Sequence, residues 1–182
     1  MLIAKGLQPD FPLMTQLHPS PHAPWMAVAA AELGVCQWPD TGSNPRIVEY
    51  HRGTNIQGYD DKASWCSSFV NWCLQSCGVQ GTGNALARSW LDWGQPLSEP
   101  VPGCVAVLWR EQPDSWRGHV GFFLRQEGSQ VLLLGGNQLS AVREHGYALD
   151  QVLAYRWPCA AGVATAQGYA GAVAAVQPSG EA

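Results

Sequence analysis

Cys66 lies in the run Ser-Trp-Cys-Ser-Ser-Phe-Val, where a polar loop gives way to a predicted helix. The first turn of a helix carries unpaired N–H groups and a partial positive charge, and both favour a thiolate over a thiol. Because the thiolate is the nucleophilic form, the position predicts an activated cysteine. A buried, inert helical cysteine is the alternative, and for a cysteine considered alone it is the more common one.

A histidine and an asparagine stand at the ends of two predicted strands. His119 opens the run Gly-His-Val-Gly-Phe, and Asn137 follows the next strand in Leu-Gly-Gly-Asn-Gln. Adjacent antiparallel strands place the start of one beside the end of the other, so the two side chains are expected to be neighbours. With Cys66 they make a nucleophile, a base and a group that fixes the imidazole tautomer. Taken singly, His119 also fits a satisfied edge histidine, and Asn137 a turn residue.

Further groups are candidates for binding the substrate or its oxyanion. The Cys66 backbone N–H is a natural oxyanion donor at a helix start. Tyr59 or Gln138 could add a side-chain donor, and the sequence does not choose between them. Tryptophans are candidates for lining a cleft, although an aromatic core is the alternative: Trp65, Trp90, Trp93 and Trp116.

The elements that must position these residues change period along the chain. Helices are predicted first, each between a capping residue or proline and a terminating glycine: 24–34, 44–53, 65–77 and 85–93. Ser64 is the expected cap of the third and Asn84 of the fourth. Short strands follow: Val105–Trp109, His119–Leu124, Val131–Leu134, Ala141–Glu144 and Ala154–Trp157. Helices followed by adjacent strands indicate an α+β fold with a small antiparallel sheet.

Composition divides the chain into one domain and two flanking segments. Residues 1–23 form a Pro-rich arm, 24–158 the predicted domain, and 159–182 an Ala/Gly-rich tail. The net charge of −4 and ten Lys and Arg residues argue against a nucleic-acid partner. No apolar run approaches the roughly 18 residues of a membrane helix, so we expect no stable membrane insertion.

No cofactor or metal is expected. His18 and His22 have ligand-like spacing, but they lie in the arm without paired cysteines nearby. The chain has six cysteines and no recognisable secretory signal, so reduced thiols are the default expectation.

Several motifs in this order resemble the NlpC/CHAP-type cysteine peptidases and amidases: Trp-Cys-Ser-Ser-Phe-Val-Asn, Gly-His-Val-Gly-Phe, Leu-Gly-Gly-Asn-Gln and Tyr-Arg-Trp-Pro. Further matches to a bacterial and phage subgroup are Pro-Trp-Met, Gly-Thr-Gly and Ala-Arg-Ser-Trp. The resemblance implies a papain-like fold, with N-terminal helices packed on the sheet. It also implies cleavage of an amide bond in peptidoglycan stem peptides, by an endopeptidase or an N-acetylmuramoyl-L-alanine amidase. By position, Cys66 is the nucleophile that forms a thioester, His119 the base and acid, and Asn137 the orienting residue.

The resemblance also implies a setting. Without a signal peptide, we expect synthesis in the cytoplasm and action in the periplasm or cell wall after export or injection. An antibacterial effector, countered by an immunity protein that blocks the cleft, and a phage-type endolysin both fit. Two other functions stay open: a non-catalytic wall- or glycan-binding module, and a papain-like deamidase or transferase toxin that acts on a protein.

Overall fold

The computed structural model describes residues 23–159, so all but the last residue of the predicted arm and all but the first residue of the predicted tail lie outside the described residues. Within that range the helical part comes first. The α-helices are α1 (Trp25–Ala31), α2 (Pro45–Tyr50) and α3 (Cys66–Gln75), and short 3₁₀ turns cover His51–Gly53, Ala87–Asp92 and Leu149–Gln151. No helix in the described part of the chain is long and apolar enough to cross a membrane.

An antiparallel sheet follows the helices. Its strands are β1 (Gln95–Leu97), β2 (Val105–Trp109), β3 (Gly118–Glu127), β4 (Gln130–Gln138), β5 (Ala141–Ala148) and β6 (Val152–Trp157). Their order in the sheet is β1-β6-β2-β3-β4-β5. The predicted α+β class, with helices packed on an antiparallel sheet, is confirmed.

Local signals account for most helix boundaries. Pro24 directly precedes α1, and Asn44 caps α2 by accepting a hydrogen bond from the Arg46 N–H. The predicted Ser64 cap of α3 is wrong: the helix begins at Cys66, its N-cap is Trp65, and no side chain caps it. The fourth predicted helix is a 3₁₀ turn from Ala87 to Asp92.

Helix α3 lies against β3 and β4. Its apolar side chains are buried in the core: Phe69, Val70, Cys73 and Leu74. Polar residues of the same helix are also buried, but they are hydrogen-bonded. Ser67 Oγ donates to the Asn84 carbonyl and accepts from Trp90 Nε1. Because α3 is enclosed on nearly every side, its first residue is held in a fixed place over the sheet.

A glycine permits this close packing. A Cβ on Gly136 of β4 would lie 2.6 Å from the Phe69 Cβ and 2.6 Å from a ring carbon of Trp65. Real Cβ atoms do not approach that closely, so only glycine allows the start of α3 to lie directly on β4.

The loop before α3 is tied down by a buried carboxylate. One oxygen of Asp61 accepts hydrogen bonds from the backbone N–H groups of Trp38 and Asn44, at 3.0 and 2.9 Å. These bonds fix the chain that leads into Cys66 against the segment before α2.

Candidate active site

Cys66 is the first residue of α3 and lines a cleft of about 270 Å³. The side chain is nearly covered, with 3 % of the residue exposed. Polar groups near its sulfur are the backbone of Val120 and Ser67 and the Ser64 side chain. Since Val120 directly follows His119, the sulfur lies against the same stretch of β3 that carries the predicted base.

The protonation of Cys66 differs from the expectation of a thiolate. Burial raises the pKa of the Cys66 thiol, and this outweighs the lowering by the nearby Arg110 charge and by the polar groups around the sulfur. The helix start therefore does not ionise the cysteine, because the free energy of removing a thiolate from water is larger than the stabilisation that these groups give it. In the free protein Cys66 is a neutral thiol at neutral pH.

The His119 side chain is fully buried and has a partner on each ring nitrogen. Its Nε2 lies 3.1 Å from Gln138 Oε1, and its Nδ1 lies 3.3 Å from Arg110 Nη2. The Gln138 amide nitrogen donates to the backbone carbonyls of Leu133 and Arg143, so its oxygen must face the imidazole. This network places the proton on Nε2 and leaves the Nδ1 lone pair as an acceptor.

The same surroundings keep His119 uncharged. Burial lowers the pKa of His119 to about 3, and the Arg110 charge acts in the same direction, although the hydrogen bond to Gln138 opposes both. At neutral pH the imidazole is therefore an uncharged base, with Nδ1 as its acceptor nitrogen, rather than one half of an ion pair.

The place expected for Asn137 beside His119 is filled by Gln138. A register irregularity interrupts β4 between Gly135 and Gln138, and Asn137 within it has a φ of 56°. Asn137 is half-buried, and no hydrogen bond links it to His119 among the residues that the structure describes. The signal was in the sequence: asparagine tolerates positive φ well, so Gly-Gly-Asn marks an irregular strand after which the next side chain can turn inward.

The weaker binding candidates also lie elsewhere than expected. Tyr59 is 58 % exposed and is not part of the cleft lining. Trp65 is fully buried, with its ring 5.9 Å from that of Tyr50, so it belongs to the core and does not reach substrate. Gln138 is committed to His119 and two carbonyls, which leaves it no role as an oxyanion donor. The Cys66 backbone N–H, in the first turn of α3, keeps that role as a candidate.

One of the four tryptophans lines the cleft. Trp116, which is 70 % exposed, lines the cleft together with the half-exposed Leu86. Trp90 is buried in the core, and Trp93 packs beside it with ring centroids 4.8 Å apart. Trp90 is therefore part of the aromatic core, whereas Trp116 and Leu86 give the cleft an apolar edge.

Sequence reasoning missed Arg110. It directly follows β2, whose pairing with β3 sets Leu108 opposite His119. Arg110 also lines the cleft beside Cys66. A basic residue just after a strand that pairs with the histidine strand is the signal that could have found it.

A comparison with known families gives a match over the middle of the chain. Residues 58–137 match the family model of the CHAP domain. This part of the chain is therefore of CHAP type. The CHAP match runs from the loop before α3 to Asn137, so it includes Cys66 and His119 and stops one residue before Gln138.

Solved structures show more distant likeness. NlpC1 from Trichomonas vaginalis has a TM-score of 0.45 and 16% identity, covering 72% of this chain and 42% of its own. A protein described as similar to a lipoprotein of the NLP/P60 family, from Staphylococcus aureus, has a TM-score of 0.41 and 16% identity, covering 72% of this chain and 39% of its own. The chain thus spans about two fifths of the length of these structures. No curated protein matches it.

Metal ligation has no evident place at this site. Among residues 23–159, no group of three or more His, Cys, Asp or Glu side chains is arranged to hold a metal ion. His18 and His22, which have ligand-like spacing, lie outside the described residues.

Proposed function

We propose that this CHAP-type domain is a peptidoglycan hydrolase that cleaves an amide bond of the stem peptide by cysteine catalysis. The family's general activity supports the substrate class. The observation that carries the mechanism is the bonding of His119: Gln138 holds the proton on Nε2, so that Nδ1 is the acceptor. Gly118, the residue before His119, lines the cleft that contains Cys66.

Acylation begins with a neutral pair. As the Cys66 sulfur attacks the amide carbonyl carbon, its proton passes to His119 Nδ1, and the carbonyl oxygen becomes an oxyanion near the Cys66 backbone N–H. The carbon–nitrogen bond then breaks, His119 returns the proton to the leaving amine, and a thioester remains on Cys66. Gln138 accepts from the imidazole throughout, which stabilises the transient imidazolium.

Deacylation uses the same groups. A water molecule gives one proton to His119 Nδ1 and adds its oxygen to the thioester carbonyl. The carbon–sulfur bond breaks, His119 reprotonates the sulfur, and the acyl group leaves as a carboxylic acid. Each turnover consumes one water, and the enzyme returns to its neutral pair.

The biological setting is part of the proposal. The substrate lies in the periplasm or cell wall, and delivery as an antibacterial effector or a phage-type endolysin would bring the domain there. For an effector, an immunity protein that fills the cleft over Cys66 is the expected partner. Directing the chain to the periplasm of a test bacterium should cause lysis, whereas the same chain kept in the cytoplasm should not.

Digestion of purified sacculi in ¹⁸O-labelled water tests the chemistry. A hydrolase places one ¹⁸O atom in the newly formed carboxyl group, and mass spectrometry of the fragments identifies the cleaved bond. Fragments joined to an added amine without ¹⁸O would indicate a transferase instead, and intact sacculi would contradict the proposal.

A further inference from the structure

The cleft is basic although the protein is acidic. The chain has a net charge of −4, yet the residues that line the cleft include Arg110 and Arg117 and no Asp or Glu. Arg117 is neutralised by an ion pair with Glu111 at 2.5 Å. Arg110 forms no ion pair among the described residues, so it is the uncompensated charge of this cleft.

Arg110 stands directly against the catalytic base. Its Nη2 lies 3.3 Å from His119 Nδ1, the nitrogen that must accept the Cys66 proton. Arg110 also lies near Tyr147, yet it stays exposed at the cleft. In the free protein the lone pair needed for catalysis is therefore occupied by a cation that can still reach a ligand.

We propose that Arg110 binds a carboxylate of the substrate beside the scissile amide, and that this contact draws the guanidinium away from His119 Nδ1 and frees the base. The inference rests on the proposed hydrolase function and deepens it. It makes Arg110 a specificity-determining residue, because an amide without a neighbouring carboxylate meets a base whose lone pair is blocked.

The relative strength of the two contacts supports this exchange. A guanidinium and a carboxylate form two parallel charge-assisted hydrogen bonds, which are about twice as strong as neutral ones. The contact with His119 is a single long bond to an uncharged acceptor. The guanidinium therefore binds a carboxylate within reach in preference to His119. The loss of the nearby positive charge also raises the pKa of His119.

A matched set of substrates tests the inference. A soluble stem tetrapeptide with free carboxylates is compared with forms of the same peptide in which one carboxylate at a time is amidated. For the wild type, kcat/KM should fall by about 10- to 100-fold when the carboxylate that Arg110 binds is amidated, the usual effect of losing a charged hydrogen bond. Arg110→Gln should cleave the free peptide and this amidated form at similar rates. Arg110→Lys should keep part of the preference, since lysine has the positive charge but lacks the two parallel N–H donors of a guanidinium.

Arg117→Gln is the matched control, because it removes the other cleft arginine and should keep the full preference. Thermal unfolding of each variant checks that it is folded. If the wild type cleaves all the peptides equally, or if Arg110→Gln retains the preference, the role of Arg110 is overturned while the hydrolase function stands. If the wild type cleaves neither these peptides nor sacculi, the proposed function fails and takes the inference with it.

Discussion

Two adjacent residues, Asn137 and Gln138, have different environments and should have different importance. Gln138 is buried and binds His119 Nε2, whereas Asn137 is half-buried within the β4 irregularity. Orientation of the imidazole by Gln138 fixes which nitrogen can act as the base.

Gln138→Leu should therefore lower kcat by about 10- to 100-fold, the effect of losing one hydrogen bond to a group that becomes charged. Asn137→Ala should lower it less. Steady-state rates on a soluble stem peptide, with unfolding midpoints as the folding control, decide this. A larger loss for Asn137→Ala would return the orienting role to Asn137.

The neutral state of Cys66 gives a second prediction at this scale. Because burial raises the pKa of its thiol and leaves the residue 3 % exposed, iodoacetamide at pH 6 should label Cys66 more slowly than the exposed Cys36 and Cys159. Brief labelling followed by peptide mapping measures this order. Rapid labelling of Cys66 ahead of the exposed thiols would show that a thiolate–imidazolium pair exists in the free protein.

At the scale of elements, the sequence predicts which segments are helices or strands better than it predicts short strands and irregularities within strands. Five of the six strands and the starts of α1 and α2 follow from hydrophobic alternation, prolines and a capping asparagine. Strand β1 was missed because its three residues include Pro96 and show no periodicity. The irregularity in β4 was also missed: Gly-Gly-Asn marks a strand that can hold one, but which side chain then turns inward depends on how the strand packs against α3 and β5.

That irregularity explains the partial success at the site. The strand argument correctly expects the start of β3 to lie beside the end of β4, which brings His119 to the right strand end. The extra residue in β4 then turns Gln138, rather than the expected Asn137, toward His119. The sequence left the burial of Cys66 as an open alternative, and the contact of Arg110 with His119 was missed although its place after β2 was a signal, because both depend on long-range packing.

The close contact of α3 with β4 should be sensitive to one methyl group. Gly136→Ala places a Cβ 2.6 Å from Phe69 and Trp65, so we expect a loss of about 1–3 kcal/mol in the free energy of unfolding from overpacking. Gly146→Ala is the control, since its Cβ would meet only the flexible end of Gln130 at 3.1 Å. Urea unfolding of both variants measures the difference, and equal losses would contradict the packing argument.

For the whole molecule, buried neutral histidines link stability to pH. Burial lowers the pKa of both His51 and His119 below the ordinary value of about 6.5. Below that pH the two histidines are protonated in the unfolded chain but stay neutral in the folded protein. The free energy of unfolding therefore falls as the solution becomes more acidic.

Urea midpoints should therefore decrease between pH 7.5 and pH 5, a window above the range in which the carboxylates Glu32 and Asp61, whose pKa values are lowered, begin to protonate. Between pH 7.5 and 8.5 these histidines should contribute no change. A midpoint that stays constant down to pH 5 would show that the two imidazoles are not held neutral by the fold.

The most direct test of the central claim compares the wild type with Cys66→Ala on purified sacculi. The two proteins differ by one sulfur atom in the cleft, and matched unfolding midpoints would show that the fold is retained. The wild type should release muropeptides whose stem peptide has lost one amide bond, and Cys66→Ala should release none, because Cys66 is the only cysteine among the described residues that line the cleft. Cleavage of the same bond by Cys66→Ala at more than a few per cent of the wild-type rate would contradict cysteine catalysis at this site.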